Sequence, residues 1–417
     1  MERISKMKIL QISHRIPYPL NEGGTIGIYN YTKGFSEQGC EVTLFALAPL
    51  KHSLPEKEVR EALEPYCELE IFPIDTTVKV FPALANLFQS RSYNVERFYS
   101  QEFEQALIEK LKSVAFDIIQ IEGTYASPYS ELALKYGNCP VVLRQHNVEY
   151  QIWERRAYNE ANPLKKVYFS LLARRLKTYE ANHLNQYAAI VPVTEDDGQL
   201  FKKLGCTSPI FSSPAGIDIQ YWRPRQSAIK EQSFYHLGSL EWGPNLDAVT
   251  WFNSEVWPKI IAQFPQSAFY VAGKGMPQSL KNQSLTNVHM LGEIDDAAEF
   301  STDKFCCIVP LRSGSGIRLK ILEAMSAGKV VLSTSIGAQG IAYTNGVNIL
   351  IADTPEEFVE CITRLAEDAN LVNELQRNAR KLIVDHYSNQ SVVKRLLDFY
   401  RELTLKWELT GQLDSKS

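Results

Sequence analysis

Residues that could bind an anion are concentrated between Pro310 and Gly328, in the run PLRSGSGIRLKILEAMSAG. The small residues from Ser313 to Gly316 would let a ligand approach the backbone. A helical pattern begins near Ile317, and the unpaired N–H groups and the dipole of a first helical turn favour a negative charge. Arg318 and Lys320 add two cations at the same end, against the usual dipole preference. This combination predicts a site for a phosphate or diphosphate group.

The same helical pattern runs to Ala327, with Gly328 as its C-cap, and carries Glu323. From there a carboxylate can accept hydrogen bonds from the two hydroxyls of a ribose. A plain strand–turn–helix connection with surface charges is the alternative. The Walker A motif, G-x-x-x-x-G-K-[ST], does not occur in the chain. The dinucleotide-binding motif, G-x-G-x-x-G, is not present here either, because Leu319 occupies the position of its third glycine. The turn, the helix start, the cations and the carboxylate together favour a ligand site.

Three other segments carry candidate residues close to predicted strand ends. Gly23 and Gly24 follow the first strand and could present backbone N–H groups, or simply form a tight turn. His146 ends the strand PVVLRQ and could donate a hydrogen bond to a ligand or to a structural partner. Asn245 lies near a helix start, where a cap is its first interpretation. The other histidines are interpreted as structural or surface residues.

The elements that would position these residues are short apolar runs separated by helical patterns. The runs are KILQIS from Lys8, EVTLFAL from Glu41, ELEIFPI from Glu68, FDIIQIE from Phe116, PVVLRQ from Pro140, AAIVPV from Ala188, SFYHLGS from Ser233, SAFYVAG from Ser267, NVHMLGE from Asn287, FCCIVPL from Phe305, KVVLST from Lys329 and NILIA from Asn348. Near-continuous apolar strands are typical of parallel sheets that helices cover on both faces. Six runs in each half predict two doubly wound α/β domains, whose ligands bind outside the carboxyl ends of the strands.

The bulk composition is that of an ordinary globular chain. Its 417 residues correspond to two or three domains, and 45% hydrophobic with 22% charged residues can build real cores. The net charge of −4 gives no bulk attraction to nucleic acid. The seven cysteines are scattered without a C-x-x-C pair, and neither a signal peptide nor an apolar run of about 18 residues is seen. We therefore expect reduced thiols in a cytoplasmic protein.

The domain boundary is predicted at a polar, turn-rich stretch that begins at Pro214. The first domain would cover residues 1–213 and the second residues 214–387. An amphipathic pattern over residues 388–410 predicts a C-terminal helix that packs back on the first domain. A single helix is predicted over residues 245–261.

Several of these motifs are similar to those of the family-4 glycosyltransferases, and they follow that family's order along nearly the whole chain. The run LEAMSAGK resembles the family's donor-binding segment, and MKILQISHRIPYPLNEGG resembles its first strand and glycine loop. LRQHNVE resembles the histidine loop, VTEDD and PAGIDIQYWRP the end of the first domain, and LGSLEWGPNLDAVTWF the opening of the second. The resemblance implies the GT-B architecture, in which two Rossmann-like domains face each other across a cleft.

The resemblance also implies roles for individual residues. In the first domain, Gly23 and Gly24 would face the donor phosphate and the acceptor. His146 would contact the transferred sugar or stabilise charge near the reacting carbon. Together with His146, Arg318 and Lys320 would be catalytic, because they can stabilise the leaving diphosphate. In the second domain the donor-binding residues would be Gly238, Asn245, Gly273, Ser315, Gly316, Ile317 and Glu323.

Two departures from the family's pattern concern the donor site. The family often has a pair of glutamates, of which the second corresponds to Glu323, whereas Ser315 stands in the place of the first. The family also often has an arginine and a lysine after the strand that opens the second domain. This chain has Ser239 at the first of those places and Pro244 or Asn245 at the second. We hypothesise that the two cations at the predicted helix start supply the charge instead.

The resemblance implies a retaining glycosyltransferase of the hexosyltransferase class. It would move a sugar from a UDP- or GDP-linked donor to a glycan or lipid-linked acceptor in the synthesis of cell-surface polysaccharide or glycoconjugate, without a cofactor. Two alternatives stay open. A nucleotide-sugar 2-epimerase shares the architecture but needs paired acid and base groups, and no clear carboxylate pair is seen for that task. A non-catalytic nucleotide-sugar-binding protein is kept open by Ser315.

A basic amphipathic pattern over Leu164–Tyr179 bears on membrane contact. Its cations are interspersed with apolar residues, a composition that is found in helices lying on anionic membranes. An ordinary surface helix of an α/β domain is the favoured interpretation. Weak peripheral contact with the inner face of the membrane is the alternative.

Turnover should not require a metal ion, because no D-x-D or His/Asp/Glu cluster is placed at the predicted site and the cations can neutralise a diphosphate. We expect full transferase activity in EDTA, measured as donor consumption. Activity that is lost on chelation and restored by Mn²⁺ would reject this prediction.

Overall fold

The structure is a computed structural model, and it describes residues 6–20, 23–50, 55–77, 93–314 and 316–414. The chain divides into two compact units. Unit 1 comprises Met1–Gly216 and Val392–Ser417, and unit 2 comprises Ile217–Ser391. Each unit is built around its own parallel sheet.

The sheet of unit 1 has six strands. They are β1 (Lys8–Ser13), β2 (Glu41–Pro49), β3 (Glu68–Ile74), β4 (Ile118–Glu122), β5 (Val141–Gln145) and β6 (Ala189–Pro192). Their order across the sheet is β3-β2-β1-β4-β5-β6, with all neighbours parallel. Every residue of β4, β5 and β6 is buried, as expected for strands that are covered on both faces.

The helices of unit 1 connect these strands. They are α1 (Gly23–Glu37), α2 (Glu56–Leu63), α3 (Tyr93–Glu96), α4 (Gln101–Ser113), α5 (Ser130–Tyr136), α6 (Glu149–Asn159), α7 (Pro163–His183) and α8 (Glu195–Lys203). Several begin at the residue types that cap helices. The side chains of Ser100, Asn162 and Thr194 accept backbone N–H groups at the starts of α4, α7 and α8.

The sheet of unit 2 repeats the same plan. Its strands are β7 (Ser233–Leu237), β8 (Ala268–Ala272), β9 (Val288–Gly292), β10 (Cys306–Val309), β11 (Val330–Ser333) and β12 (Leu350–Ile351). The order is β12-β11-β10-β7-β8-β9. Numbered within its own unit, each sheet therefore has the strand order 3-2-1-4-5-6 of a Rossmann domain.

The remaining helices are α9 (Gly243–Trp251), α10 (Trp257–Gln263), α11 (Gln278–Lys281), α12 (Ala297–Ser301), α13 (Leu319–Ser326), α14 (Pro355–Glu367), α15 (Ala369–Leu382) and α16 (Asn389–Asp414). At the start of α14, Thr354 and Glu357 form a reciprocal capping box. All twelve predicted strands are present, and the predicted α/β fold with two Rossmann-like domains is confirmed.

The predicted single helix over residues 245–261 is interrupted. A π-helical turn over Phe252–Val256 separates α9 from α10, and the N–H of Trp257 donates to the carbonyl of Phe252 five residues earlier. Pro258 follows at once and has no N–H to donate. Its ring cannot fit a regular α-helical turn, and the wider π-turn accommodates it.

Helix α16 supplies part of the core of unit 1. Its buried residues Val393, Leu396, Leu397 and Tyr400 pack in one apolar cluster with Ile9 and its neighbours in the sheet. The hydroxyl of Tyr400 also donates to the side-chain carbonyl of Gln120 in β4. Helix α16 therefore belongs to the layer of helices that covers the sheet of unit 1.

In the described part of the chain, no helix combines the length and the apolar character that crossing a membrane requires. All seven cysteines have free thiols, and five of them are buried. Burial raises the pKa of the Cys139 thiol to about 12, so this group stays protonated at neutral pH.

The strand order places two crevices in the molecule, one in each unit. The order reverses between β1 and β4 in unit 1, and between β7 and β10 in unit 2. Chains that leave the carboxyl ends of such a strand pair turn to opposite faces of the sheet and leave room between them for a ligand. The segments at these positions begin at His14, Gly123, Gly238 and Pro310.

Truncating Leu397 to Ala should destabilise the protein by about 3 kcal/mol, because the side chain is fully buried and its removal leaves a cavity. Leu409→Ala on the same helix is the control, since Leu409 is 63% exposed and its truncation should cost at most about 0.5 kcal/mol. Urea denaturation followed by circular dichroism measures both. Equal midpoints for the two variants would contradict the packing of α16.

Candidate functional site

The predicted anion-binding run follows β10 at the crevice of unit 2. Ser315 lies outside the described residues, so the structure does not place its predicted donor contact. Gly314 and Gly316 have φ angles of 122° and 83°, in the region that favours glycine. These two residues turn the chain and lead it into Arg318, whose backbone is extended.

Helix α13 begins two residues later than predicted, at Leu319 rather than at Ile317. Arg318 is its N-cap residue, and one Nη of Arg318 donates to the carbonyl of Gly316, which holds the preceding loop out of the helix. Ile317 therefore offers no helical N–H.

The end of α13 also differs from the prediction, because Ala327 is its C-cap and Gly328 is the next residue, with a φ of 70°. The N–H of Lys329 donates to Ala324 and that of Gly328 to Met325, at 2.9 and 3.1 Å. This pattern is the Schellman motif, in which glycine takes the left-handed position beyond the cap.

The ammonium group of Lys320 is half-buried against two neutral acceptors. Its Nζ donates to Asn245 Oδ1 at 2.8 Å and to His236 Nε2 at 3.2 Å. The Nδ2 of Asn245 in turn donates to the carbonyl of Ser239 at 2.8 Å, and this bond directs Oδ1 towards the lysine. Asn245, expected first as a helix cap, thus positions a cation. Its predicted contact with the donor remains a prediction.

His236 is fully buried in β7, and sequence reasoning had not assigned it to the site. Its Nδ1 lies 2.9 Å from the carbonyl oxygen of Ile308, which can only accept, so we assign the proton to Nδ1. Nε2 then carries no proton, and its lone pair faces Lys320. Burial and the charge of Lys320 hold the pKa of His236 well below its usual range, and the ring is neutral at physiological pH.

Two of the predicted donor-binding glycines are required by close packing around Lys320. A Cβ at Gly238 would overlap Lys320 Nζ, and a Cβ at Gly273 would overlap the carbonyl of Gly238. The N–H of Gly238 donates to Ala272 at 3.0 Å. The absence of side chains therefore lets the loops after β7 and β8 close upon the lysine.

Arg318 lies beside this group and is 5% exposed. Its guanidinium is 5.5 Å from the ring centroid of Trp242, within the range of a cation–π contact. Desolvation is the main cause that lowers the pKa of Lys320 to about 8, and the charge of Arg318 lowers it further. Two cations that disfavour each other's charge in this way are well suited to an anionic ligand.

Glu323 is one turn further along α13 and half-buried. Burial raises the pKa of its carboxyl to about 7, although the charge of Lys320 acts in the opposite sense. Near neutral pH this carboxyl can therefore accept hydrogen bonds when ionised and donate one when protonated. Such a group suits ligand hydroxyls, and the contact of Glu323 with a ribose remains a prediction.

Unit 1 has a buried charge network at its own crevice, centred on Glu122 at the end of β4. Glu122 Oε2 accepts from Arg144 Nη1 at 3.2 Å and from His146 Nε2 at 2.9 Å. Glu122 Oε1 accepts from Gln11 Nε2 at 3.1 Å and from the side chain of Gln120. Among these residues, only His146 was predicted from the sequence to lie at a site.

The ionisation of this network follows from its geometry. Burial by itself would raise the pKa of Glu122, but the charge of Arg144 and the hydrogen bond from His146 outweigh burial and hold that pKa at about 2. Burial and the charge of Arg144 lower the pKa of His146. The cluster thus consists of a carboxylate, a guanidinium and a neutral imidazole at physiological pH.

His146 follows β5 and its side chain is 12% exposed. When Nε2 donates to Glu122, Nδ1 is the acceptor for Arg144 Nη1 at 3.3 Å. Both ring nitrogens are therefore engaged inside unit 1. A contact with the transferred sugar would use the exposed edge of the ring, and the catalytic role of His146 remains a prediction.

His14 joins the same cluster, although the sequence analysis interpreted it as structural or surface. It directly follows β1, its Nδ1 donates to the carbonyl of Glu122 at 2.9 Å, and Arg15 Nε donates to its Nε2 at 2.9 Å. Burial and the charge of Arg15 lower the pKa of His14 to about 3. Its position directly after a strand at the crevice is the signal that sequence reasoning could have used.

Gly23 and Gly24 are the first two residues of α1, so this helix begins at the glycine pair and not after it. The N–H groups of a first helical turn are unpaired, and glycine there leaves them accessible. A Cβ at Gly24 would stand 3.6 Å from Arg15 Nη1, while nothing described lies near Gly23. The pair and Arg15 could together face an anion. Their predicted contacts remain a prediction.

Among the described residues, no three His, Cys, Asp or Glu side chains are grouped as metal ligands. The groups at the two crevices that could bind a ligand include cations, amides and glycine-rich loops.

Comparison with known families matches most of the chain. Residues 22–221 match the profile described as "Glycosyltransferase Family 4", and residues 231–368 match the one described as "Glycosyl transferases group 1". The first match contains Glu122, Arg144 and His146, and the second contains Lys320 and its partners.

Two similar proteins each match two thirds or more of this chain. A 44.6 kDa protein of the cps region of Klebsiella pneumoniae is 23% identical, over 92% of this chain and 97% of that protein. The GDP-mannose:cellobiosyl-diphosphopolyprenol alpha-mannosyltransferase of Xanthomonas campestris is 21% identical, over 68% of this chain and 73% of that protein.

The fold is also that of solved GT-B proteins. Anabaena HepE in complex with UDP superposes with a TM-score of 0.65 at 15% identity, over 95% of this chain and all of that chain. A structure of the same protein with UDP-glucose gives a TM-score of 0.62. At this level of identity the likeness concerns the fold.

The affinity for a nucleoside diphosphate should fall as the pH rises through about 8, by up to tenfold per pH unit, because the Lys320 ammonium loses its proton. Calorimetric titration with UDP and GDP across this range measures it. Glu323→Gln is the control, since it removes the carboxyl that titrates near 7 and should leave the alkaline decline in place. An affinity that stays constant across the range would contradict the assignment of the charge to Lys320.

Proposed function

Because this chain belongs to the family-4, group 1 glycosyltransferases, we propose that it transfers a sugar from a nucleotide diphosphate sugar to a glycan or lipid-linked acceptor with retention of anomeric configuration. Unit 2 would bind the donor and unit 1 the acceptor. The proposed setting is the synthesis of cell-surface polysaccharide or glycoconjugate.

The observation that carries this proposal is the placement of Lys320. When the glycosidic bond of the donor breaks, negative charge develops on the departing diphosphate, and a cation already in position lowers the barrier. Lys320 is held by Asn245 and His236, and neither of these neutral groups cancels its charge. Arg318 provides a second charge beside it. This arrangement favours the leaving group more than the intact donor.

The nucleoside half of the donor would lie near Glu323. Its carboxyl is one turn beyond Lys320 on the same helix, where it can bind the hydroxyls of a ribose while Lys320 binds the phosphates. UDP-bound HepE and the GDP-mannose-dependent enzyme of Xanthomonas support a UDP- or GDP-linked donor. The diphosphopolyprenol substrate in the name of the latter supports a lipid-linked acceptor.

The role proposed for the first unit rests on the network around Glu122. Glu122 and Arg144 fix the orientation of the His146 ring by hydrogen bonds, and the neutral imidazole adds no charge to the network. The exposed ring edge would then contact the transferred sugar. The cps-region protein of Klebsiella supports a setting in surface polysaccharide synthesis.

Arg318→Ala and Lys320→Ala should each raise the donor KM or lower kcat, with kcat/KM reduced roughly 100-fold, as for the loss of a charged contact to a leaving group. Steady-state assays with UDP- and GDP-sugars measure both parameters. Lys281→Ala is the matched control, since Lys281 is an exposed lysine of the same unit, and its kinetics should be unchanged. Wild-type kinetics in both site variants would reject the proposed donor site.

The same assay separates the two alternatives. Incubation with nucleotide sugar but without acceptor would yield an epimer if the protein were a 2-epimerase. A non-catalytic binding protein would give a nucleotide-sugar thermal shift with neither transfer nor hydrolysis. Transfer to an added acceptor, with the anomeric configuration retained in the product, is the outcome that supports the proposal.

A further inference from the structure

The end of the α6–α7 hairpin carries the three most exposed large hydrophobic side chains in the described part of the chain. Tyr158 and Leu164 are each 81% exposed, and Val167 is 70% exposed. All three lie within ten residues of each other, at the end of α6 and the first turns of α7. Leu164 and Val167 are three residues apart and therefore share one face of the helix. We define residues 158–167 as the hairpin tip.

Positive charge surrounds this tip although the whole chain has a net charge of −4. Lys165, Lys166, Arg174 and Lys177 are exposed along α7. The only acidic residue of α7 is Glu180, and it is buried. The solvent-exposed side of α7 therefore presents cations without any carboxylate of its own.

These cations do not serve the stability of the helix. Lys165 and Lys166 lie in the first turn of α7, which has no acidic residue, and positive charge at a helix N-terminus opposes the dipole. Neither lysine, nor Arg174, forms a salt bridge within the part of the chain that the structure describes. Lys166 Nζ does lie 5.9 Å from the ring centroid of Tyr158, a cation–π contact. That contact leaves the positive charge of the first turn without an ion pair among the described residues.

The hairpin is held firmly at its base. Both carboxylate oxygens of Glu180 accept from the first N–H groups of α6, from Glu149 at 3.1 Å and from Tyr150 at 3.0 Å. Nearer the tip, the guanidinium of Arg156 lies 4.7 Å from the ring centroid of Phe169. The exposed hydrophobic residues therefore stand on a braced pair of helices.

From this arrangement we propose that the hairpin tip docks on an anionic phospholipid membrane. Leu164 and Val167, with Tyr158, enter the interface between headgroups and acyl chains. Lys165 and Lys166 bind the phosphate groups around them. The occupant follows from the charge: lipid headgroups supply the anions that α7 lacks, and only a bilayer offers an apolar layer directly beneath its anions.

Docking at the tip would set the distance between the membrane and the histidine loop. Helix α6 begins at Glu149, three residues after His146. Its eleven residues span about 16 Å at the usual rise per residue. This proposal stands independently of the proposed transferase activity, because it concerns lipid binding by the hairpin alone.

Other exposed hydrophobic residues do not share this setting. Leu405 and Leu409 near the end of α16 are about as accessible as Val167, but Glu402 and Glu408 accompany the cations there. The hairpin tip contains one acidic residue, Glu160, whose carboxylate accepts the N–H of Asn162. Helix α7 itself presents four exposed cations and no exposed carboxylate. This excess of positive charge beside exposed apolar residues distinguishes the hairpin tip from α16, which provides a control surface.

Vesicle flotation of the full chain tests the proposal. The wild type should float with vesicles that contain about 30 mol% phosphatidylglycerol in phosphatidylcholine and should stay unbound with phosphatidylcholine alone. Raising the salt from about 0.1 M to about 0.5 M should weaken the binding at least tenfold, because the attraction is electrostatic in part. A wild type that does not float with the anionic vesicles would overturn the proposal.

Two double variants separate the charge from the insertion. Lys165→Glu/Lys166→Glu and Leu164→Ser/Val167→Ser should each lower the vesicle affinity about tenfold. Their controls are Lys202→Glu/Lys203→Glu on α8, with the same change of net charge, and Leu409→Ser on α16, and both should bind as the wild type does. Thermal unfolding verifies that every variant is folded.

The remaining outcomes are decisive as well. If the Leu164/Val167 variant keeps full affinity while the lysine variant loses it, the tip is a polyanion-binding surface and membrane insertion is overturned. If the controls weaken binding as much as the hairpin variants do, the docking surface lies elsewhere and the proposal is again overturned.

Discussion

The reversal of strand order at the centre of each sheet is the constraint on which the rest of the molecule depends. Parallel strands release their chains at one edge, and the reversal sends neighbouring chains to opposite faces. Glu122 and His14 in unit 1 and His236 and Lys320 in unit 2 all lie beside such a reversal. The strand order therefore determines where the candidate site residues of each unit lie.

The two crevices differ in how their buried charges are balanced. In unit 1, Glu122 and Arg144 neutralise each other and His146 stays uncharged, so the network is complete without a ligand. In unit 2, the hydrogen-bond acceptors of Lys320 among the described residues are an imidazole and an amide. Desolvation of this cation is costly and lowers the pKa of Lys320 to about 8, although the charge of Glu323 acts in the opposite sense. The first network is thus balanced within unit 1, whereas the second has two neighbouring cations, Lys320 and Arg318, whose charges disfavour each other.

The fold could be predicted from the sequence because buried parallel strands appear as apolar runs, such as KILQIS and ELEIFPI, whose ends coincide with β1 and β3. Arg318, Lys320 and Glu323 could be identified because they are adjacent in sequence. His236 and Glu122 could not, since they meet their partners only through space. The start of α13 was misplaced because left-handed glycine turns and the Arg318 contact set it, and neither follows from helical periodicity.

The ammonium group of Lys320 has a consequence for attempts to stabilise this chain. A methionine of similar length would fill the same space without desolvating a charge, although it would leave the acceptors on Asn245 and His236 without this donor. A lysine that lowers stability at this place is expected where its charge serves a ligand, as for other groups that a folded chain tolerates at the expense of stability. Substitutions in the crevice of unit 2 that raise thermal stability should therefore lower activity.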